Sequence, residues 1–255
     1  MNTIIIDNEK CIGCGSCVKD CVCSHLFITD QKASAAETDC IECGHCFAIC
    51  PTNAIKITGY DCNEESIVSM MEFDSDKLLS AMKSRRSIRQ FKAKMIEEDK
   101  LQKILEAGRY APTGSNAQDV TFTILGSKQN EAEEICVKLF KKGKKLVGSF
   151  NSYLKNLVIT DDFFFKGAPL VVVLSSKSNI NAGLASSYME LMAYNLGLGV
   201  LYSGFFVVCT KLSRKLRELL QLSDDHEVVS CMVIGYPDVE YRRIAPRKNP
   251  KVKIL

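Results

Sequence analysis

CIGCGSCVKDC at residues 11–21 and CIECGHCFAIC at residues 40–50, the second followed by Pro51, decide how the front of this chain folds. Both runs follow C-x2-C-x2-C-x3-C, and they are offset by 29 residues. Three thiols at intervals of three let a short segment curl around one inorganic core. Glycine at Gly13, Gly15 and Gly44 lowers the steric cost of that curl. The fourth cysteine of each run falls past the curl and points elsewhere. Two zinc sites are the alternative, but zinc usually takes CxxC pairs parted by a longer loop rather than runs of four.

The chain holds 13 cysteines, and its opening MNTIIIDNEK lacks the basic start and apolar run of an export signal. That combination argues against a disulfide scaffold and for reduced, metal-binding thiols, so a cytoplasmic protein is expected. Cys23, Cys62, Cys136, Cys209 and Cys231 lack ligand spacing and are expected to be small buried hydrophobes or plain free thiols. The most apolar later run, APLVVVL at 168–174, is too short to span a bilayer and suits a buried strand, so no membrane association is expected.

Residues 1–59 resemble the two-cluster bacterial ferredoxins. The resemblance implies that Cys11, Cys14, Cys17 and Cys50 hold one 4Fe–4S cluster, and that Cys40, Cys43, Cys46 and Cys21 hold the second. CPTNAIKIT at 50–58 reads like that family's closing hairpin, whereas Val22 stands where the family usually has proline. Two clusters form an electron relay, and a relay needs a terminus.

Net charge is divided along the chain. Residues 1–79 hold 5 Lys+Arg against 13 Asp+Glu, a net of −8, and the remainder nets +11. An acidic module beside one that binds an anionic cofactor gives this pattern, as does plain drift between domains. The mild overall charge of +3 and the lack of an aromatic-interleaved basic stripe argue against a nucleic-acid partner.

Residues 60–79 read as an acidic linker running into a first helix near Ser75 to Met82, with Asp74 or Ser75 as N-cap. Beyond it, helices are expected at 96–111, 130–146, 181–199 (ending on two glycines) and 210–222 (capped by Thr210). Strands are expected at 120–126, 168–176 and 227–237. Helices and strands without strict βαβ alternation predict an α+β domain over 80–255.

Four segments of this larger domain could carry chemistry. SRRSIRQF (84–91) clusters guanidinium forks and a hydroxyl suited to a phosphate, although basic helix ends are often merely solvated. APTGSNAQD (111–119) is a turn-rich loop that could meet a polar ring edge. GLGVLYSGFF (197–206) allows backbone close to a planar ligand, or is a helix stop before a buried strand. YRRIAPRKNPKVK (241–253) is a basic tail.

In this order and at these distances, the four segments resemble the nitroreductase family of flavoenzymes over residues 80–255. The resemblance implies a central sheet flanked by helices, an interlocked homodimer, and FMN bound at its interface. Arg85, Arg86, Ser87 and Arg89 would hold the ribityl phosphate and flavin edge, with Arg247 and Lys248 closing on the phosphate. Pro112, Thr113, Gly114 and Asn116 would reach the ring from the other subunit. Ser203 and Gly204 would place backbone N–H groups near the reactive nitrogen. Asp119-Val120 replaces the family's frequent Pro-Trp, which bears on the neighbouring pocket. DDFFF (161–165) could supply aromatic contacts, or simply lead into the core.

No catalytic side chain is expected, because the flavin carries the chemistry. His25, His45 and His226 fit no triad or ligand spacing. The expected function is an FMN oxidoreductase with a built-in 4Fe–4S relay. It would reduce electron-poor acceptors such as nitroaromatics or quinones with electrons from an external carrier, ferredoxin or NAD(P)H. The alternatives are direct NAD(P)H reduction of the flavin, with the clusters storing electrons, and a non-catalytic redox sensor or electron carrier.

Overall fold

A segment of about 60 residues is only marginally stable by apolar burial alone, and the cysteine-rich part buries few apolar side chains. The computed structural model describes residues 4–37, 40–60, 74–147 and 156–255. The described residues of Met1–Glu72, with Gly114–Ala117, form one compact unit; those of Phe73–Thr113 and Gln118–Leu255 form the second. Most of the expected 60–79 linker lies outside the described residues, as does Cys62.

In the first unit, β1 (Ile4–Ile6) pairs antiparallel with β4 (Ile55–Ile57), and β2 (Leu26–Thr29) with β3 (Lys32–Ala35). The β2–β3 turn places Asp30 and Gln31 at φ 48° and 62°, the left-handed pair that a two-residue hairpin requires. Two short helices, α1 (Ser16–Asp20) and α2 (His45–Ile49), complete the unit. Its core is Ile4, Leu26, Ala33, Ala54, Ile55 and Ile57 together with two thiols, Cys11 and Cys17. Residues 50–58 do not close a local hairpin. They supply β4 alone, which pairs with the N-terminal strand.

The second unit is built on a sheet of order β5–β6–β8–β7, with every pair antiparallel: β5 (Thr121–Ile124), β6 (Leu170–Ser176), β8 (Glu227–Gly235) and β7 (Gly199–Tyr202). All seven β6 residues are buried because both faces are covered. Val171 and Val173 join Cys231 and Val233 in one core, under α5 (Gln129–Val147), α7 (Gly204–Leu212) and α8 (Arg214–Leu219). Val172 and Leu174 join Met232 and Ile234 in the other, under α4 (Glu98–Arg109) and α6 (Asn179–Asn195). This α+β arrangement follows from period-two alternation between two apolar layers. The unit opens with α3 (Ser75–Ser84), whose N-cap Asp74 accepts from the Asp76 and Lys77 amides at 3.0 Å. Among the described residues no helix is long and apolar enough to cross a membrane.

The expected single helix at 210–222 is two helices. Thr210 caps neither: it is buried inside α7, and its hydroxyl donates to the Val207 carbonyl at 2.7 Å. Ser213 breaks the chain and caps α8, accepting from Leu216 N–H at 3.2 Å. The helix expected to end on two glycines stops at Asn195. Gly197 takes φ 77° beyond its end, and Gly199 opens β7.

Gly199 also positions the arginine-rich segment. Ser87 bridges Val200, Ile88 N–H donates to the Val200 carbonyl at 3.0 Å, and Phe91 bridges Pro237. A Cβ at position 199 would stand 2.2 Å from Ile88 Cγ1. Gly199→Ala is therefore expected to cost about 2 kcal/mol, because a packed branched side chain must give way. Urea unfolding measures this, and a variant as stable as the parent would contradict the packing.

Candidate functional site

The two cysteine runs fold alike. Gly15 and Gly44, at φ 73° and 76°, turn the chain into α1 and α2, so that Cys17 and Cys46 enter the first turns. Gly13 and Glu42 occupy the equivalent place in each run and both have positive φ, 67° and 54°. At Gly13 a Cβ would meet the Gln31 carbonyl oxygen at 2.0 Å. Each helix lasts five residues and ends on the fourth cysteine: Cys21 and Cys50 are the C-caps and take extended backbone. That turn separates the fourth thiol from its own run.

Two cavities result. Cys11, Cys14, Cys17 and Cys50 line one. Cys21, Cys40, Cys43 and Cys46 line the other. Backbone N–H groups point at the sulfurs. Ala33 and Ala54 donate to Cys11 and Cys50 at 3.4 and 3.3 Å, and His25 and Glu42 donate to Cys21 and Cys40 at 3.3 Å each. Such bonds stabilise thiolates and tune the potential of an iron–sulfur group.

Burial works the other way. It pushes Cys46 up to about 11, with Cys40, Cys43 and Cys17 adding like-charge repulsion, and it raises Cys17 too. Thiolates crowded in this way need cationic compensation, which iron would supply. Among the described residues no three His, Cys, Asp or Glu side chains are grouped closely enough to share one metal ion. A tetrahedral zinc with bonds of about 2.3 Å draws its sulfurs within about 4 Å of each other. Thiols spaced around a cavity fit a polynuclear cluster instead. Cys23 lines the second cavity as a fifth thiol; its only signal in the sequence is its place two residues after Cys21.

In the second unit, Arg85 and Arg86 line a cavity of about 920 Å³ against β7. Glu190 of α6 lies in the same lining. This buried carboxylate pairs with Arg85 Nη1 at 2.9 Å and accepts from Tyr202 OH at 3.4 Å. Burial lifts its pKa above the ordinary value while Arg85 pulls it down, so the ion pair only partly offsets desolvation. Glu190 carries no signal in the sequence, being the one acidic residue of α6. Arg86 lies over the Tyr241 ring at 5.6 Å, and Tyr241 OH donates to the Ser87 carbonyl at 3.4 Å.

Arg89 lines a second cavity, of about 1070 Å³, with Tyr202, Ser203, Gly204 and Phe163. The Ser203 N–H is engaged by the Cys231 carbonyl at 2.8 Å. Gly204 opens α7, where first-turn amides have no intrahelical acceptor. Of DDFFF, Phe164 and Phe165 are core, while Phe163 and Phe164 also border this cavity.

The other expected residues lie elsewhere. Thr113 Oγ1 accepts from Gln118 N–H at 3.0 Å in the turn after α4, beside Pro112. Gly114–Ala117 belongs to the first unit, where Asn116 Nδ2 donates to the Ile41 and Glu42 carbonyls at 3.1 and 2.9 Å. Arg247 and Lys248 are exposed on the C-terminal segment and line neither cavity. Asp119 has a structural role: it accepts from Ser176 and Asn181 at 2.7 Å each.

A thiol-lined unit with two cavities, carried on one chain with an α+β unit whose arginines edge a large cleft, defines a redox protein of two modules. Residues 82–236 match the nitroreductase family model, and residues 3–51 match a 4Fe-4S dicluster domain. An NADPH-dependent oxidoreductase of Staphylococcus haemolyticus is 27% identical over 174 residues, 64% of this chain and 66% of that protein. The chain thus spans just under two thirds of that relative's length. An uncharacterized ferredoxin of Methanocaldococcus jannaschii is 45% identical over 58 residues, 21% of this chain and 75% of the ferredoxin. Among solved structures, a Bacteroides fragilis nitroreductase with bound FMN aligns with TM-score 0.58 at 24% identity, covering 70% of this chain and 98% of that one. The chain belongs to the nitroreductase family of flavin-dependent oxidoreductases, with a ferredoxin-type 4Fe–4S module on its N-terminal side.

Proposed function

We propose that this protein is an FMN-dependent oxidoreductase that takes electrons from a carrier through two 4Fe–4S clusters and delivers them to a small, electron-poor acceptor. The observation that carries this reading is the arginine-rich segment held beside β7 by the Ser87–Val200 bridge, with Arg85 and Arg86 lining one cavity and Arg89 lining another together with the Ser203–Gly204 turn. A phosphate in the first and a flat ring in the second suit those donors.

Arg85, oriented by Glu190, and Arg86 and Ser87 hold the phosphate, with Arg247 and Lys248 added from the tail. Arg89 and the Gly204 amide serve the ring edge. The loop of Pro112, Thr113, Gly114 and Asn116 serves the ring across a homodimer. The dimer is supported by α6, which buries Ala182, Ala185, Met189 and Ala193 yet exposes Ile180, Leu184 and Tyr188 on its opposite side. In the first unit, Cys11, Cys14, Cys17 and Cys50 hold one cluster and Cys21, Cys40, Cys43 and Cys46 the other. FMN, when bound, supplies both one- and two-electron chemistry. A nitro group takes two electrons and two protons to give a nitroso group and water, and a quinone takes the same to give a hydroquinone. Covalent tethering of donor to acceptor raises their effective concentration.

A second reading, reduction of the flavin directly by NAD(P)H, is favoured by the likeness to NADPH-dependent oxidoreductases. Anaerobic protein assayed for iron and flavin, then mixed in stopped flow with reduced ferredoxin or NADPH, tests both. About eight irons and one flavin per chain are expected, with bleaching by ferredoxin. Iron without flavin would overturn the proposal, and bleaching by NADPH alone would select the second reading.

A further inference from the structure

We propose that the cavity beside Arg89 selects acceptors that are both planar and negatively charged, such as nitroaryl carboxylates and nitrophenolates; this deepens, and rests on, the flavin reading above. Among the described residues, the lining combines four aromatic side chains, Phe163, Phe164, Phe205 and Tyr202, with two cations, Arg89 and Lys166, and no carboxylate. Arg89 is assigned to the flavin edge. Lys166 is the cation left for a second occupant.

Its placement is specific. Lys166 takes φ 55° and is followed by Gly167 at φ 67°, so a lysine occupies backbone that ordinarily favours glycine. The turn is fixed from behind by Glu133, a buried carboxylate on α5 that accepts from the Phe164 and Phe165 amides at 2.6 and 3.2 Å. The result sets the Lys166 ammonium 4.8 Å from the centre of the Phe163 ring. That ring is itself stacked on Phe205 at 6.0 Å. Among the described residues Lys166 forms no salt bridge, although its charge acts on the buried Glu133 carboxylate, and neighbouring Asp161 is taken by Lys141 at 3.0 Å. A flat ring lying on this aromatic wall brings an acidic substituent to the ammonium. A neutral analogue forgoes the charged hydrogen bond to the ammonium.

The test compares kcat/KM for 4-nitrobenzoate and 4-nitrotoluene in the whole protein with its electron donor. It also measures equilibrium dialysis of non-reducible benzoate against benzyl alcohol. The parent is expected to favour the carboxylate by about tenfold in both. Lys166→Met is expected to bring both ratios to about one, and Lys166→Arg to keep them. A parent that turns over both nitroarenes equally overturns the acceptor class alone, as does a preference that survives in Lys166→Met. A preparation that reduces neither, or holds no flavin, overturns the flavin reading and the acceptor class with it.

Discussion

Replacing Cys43 with serine is expected to halve the iron of anaerobically prepared protein, from about eight atoms to about four, and to cut ferredoxin-driven turnover by at least about a hundredfold. Cys43 lines the second cavity with Cys21, Cys40 and Cys46. A serine oxygen at that point is a hard, poorly ionised ligand where iron wants a thiolate. The unit has few apolar residues to hold it together, and two of its core side chains are thiols. Metal binding and folding are therefore coupled, and the thermal midpoint of this unit should fall along with the iron. Cys23 borders the same cavity and could take the vacated place. The double variant Cys43→Ser/Cys23→Ser removes that route and should reach the lower iron value even if the single variant does not. Full iron in the double variant would show that the second run holds no cluster. Unchanged turnover alongside halved iron would remove the relay from the reaction and leave the reading in which NAD(P)H reduces the flavin directly.

The parts of this molecule legible in its sequence are those where one physical constraint acts locally. Thiol spacing, with glycine at left-handed positions 13, 15 and 44, needs no knowledge of the rest of the chain. β6 and β8 carry the apolar runs LVVVL and CMVI because both their faces are covered there, and these runs read directly as buried strands. By composition Arg85, Arg86 and Arg89 suit a phosphate or a solvated helix end alike, and the sequence does not show what orients Arg85. Glu190 lies 105 positions from Arg85, and only the fold of α6 across the sheet brings them together. Glu133 and the Phe164–Phe165 amides, 31 and 32 positions apart, meet for the same reason. The start of helix α7 is not legible in the sequence because GFFVVC is rich in strand-forming residues. Burial of Phe206, Cys209 and Thr210 on one side, at helical spacing, decided the matter against local propensity. Thr210 could be mistaken for a cap because a hydroxyl that bonds backwards inside a helix leaves the same sequence trace as one that bonds forwards at its start.

Arg85→Ala is expected to weaken FMN binding by about a hundredfold, since it removes a paired-donor fork from the phosphate. It is also expected to destabilise the protein at neutral pH by leaving the Glu190 carboxylate buried without its cation. Loss of one partner from a fully buried pair costs about 3–5 kcal/mol. Arg85 is 34% exposed, so water recovers part of that, and about 2 kcal/mol is the expected size. The pH dependence identifies the cause. The folded-state pKa of Glu190 is raised, chiefly by burial, so the folded protein holds this proton more tightly than the unfolded chain does. Stability from this group is therefore fully present below the unfolded value and is lost as pH rises through the folded one. In the parent, Arg85 limits that loss, and in Arg85→Ala nothing does. The gap in urea midpoint between parent and variant should thus be wide at about pH 8 and narrow towards about pH 5, as the carboxyl takes up its proton. The double variant Arg85→Ala/Glu190→Gln, which has no buried charge to strand, should recover most of the stability at pH 8 while FMN affinity, read by flavin fluorescence, stays low. A gap of equal width at both pH values would mean that Glu190 is not the stranded charge, and that Arg85 stabilises the fold through packing of its stem alone.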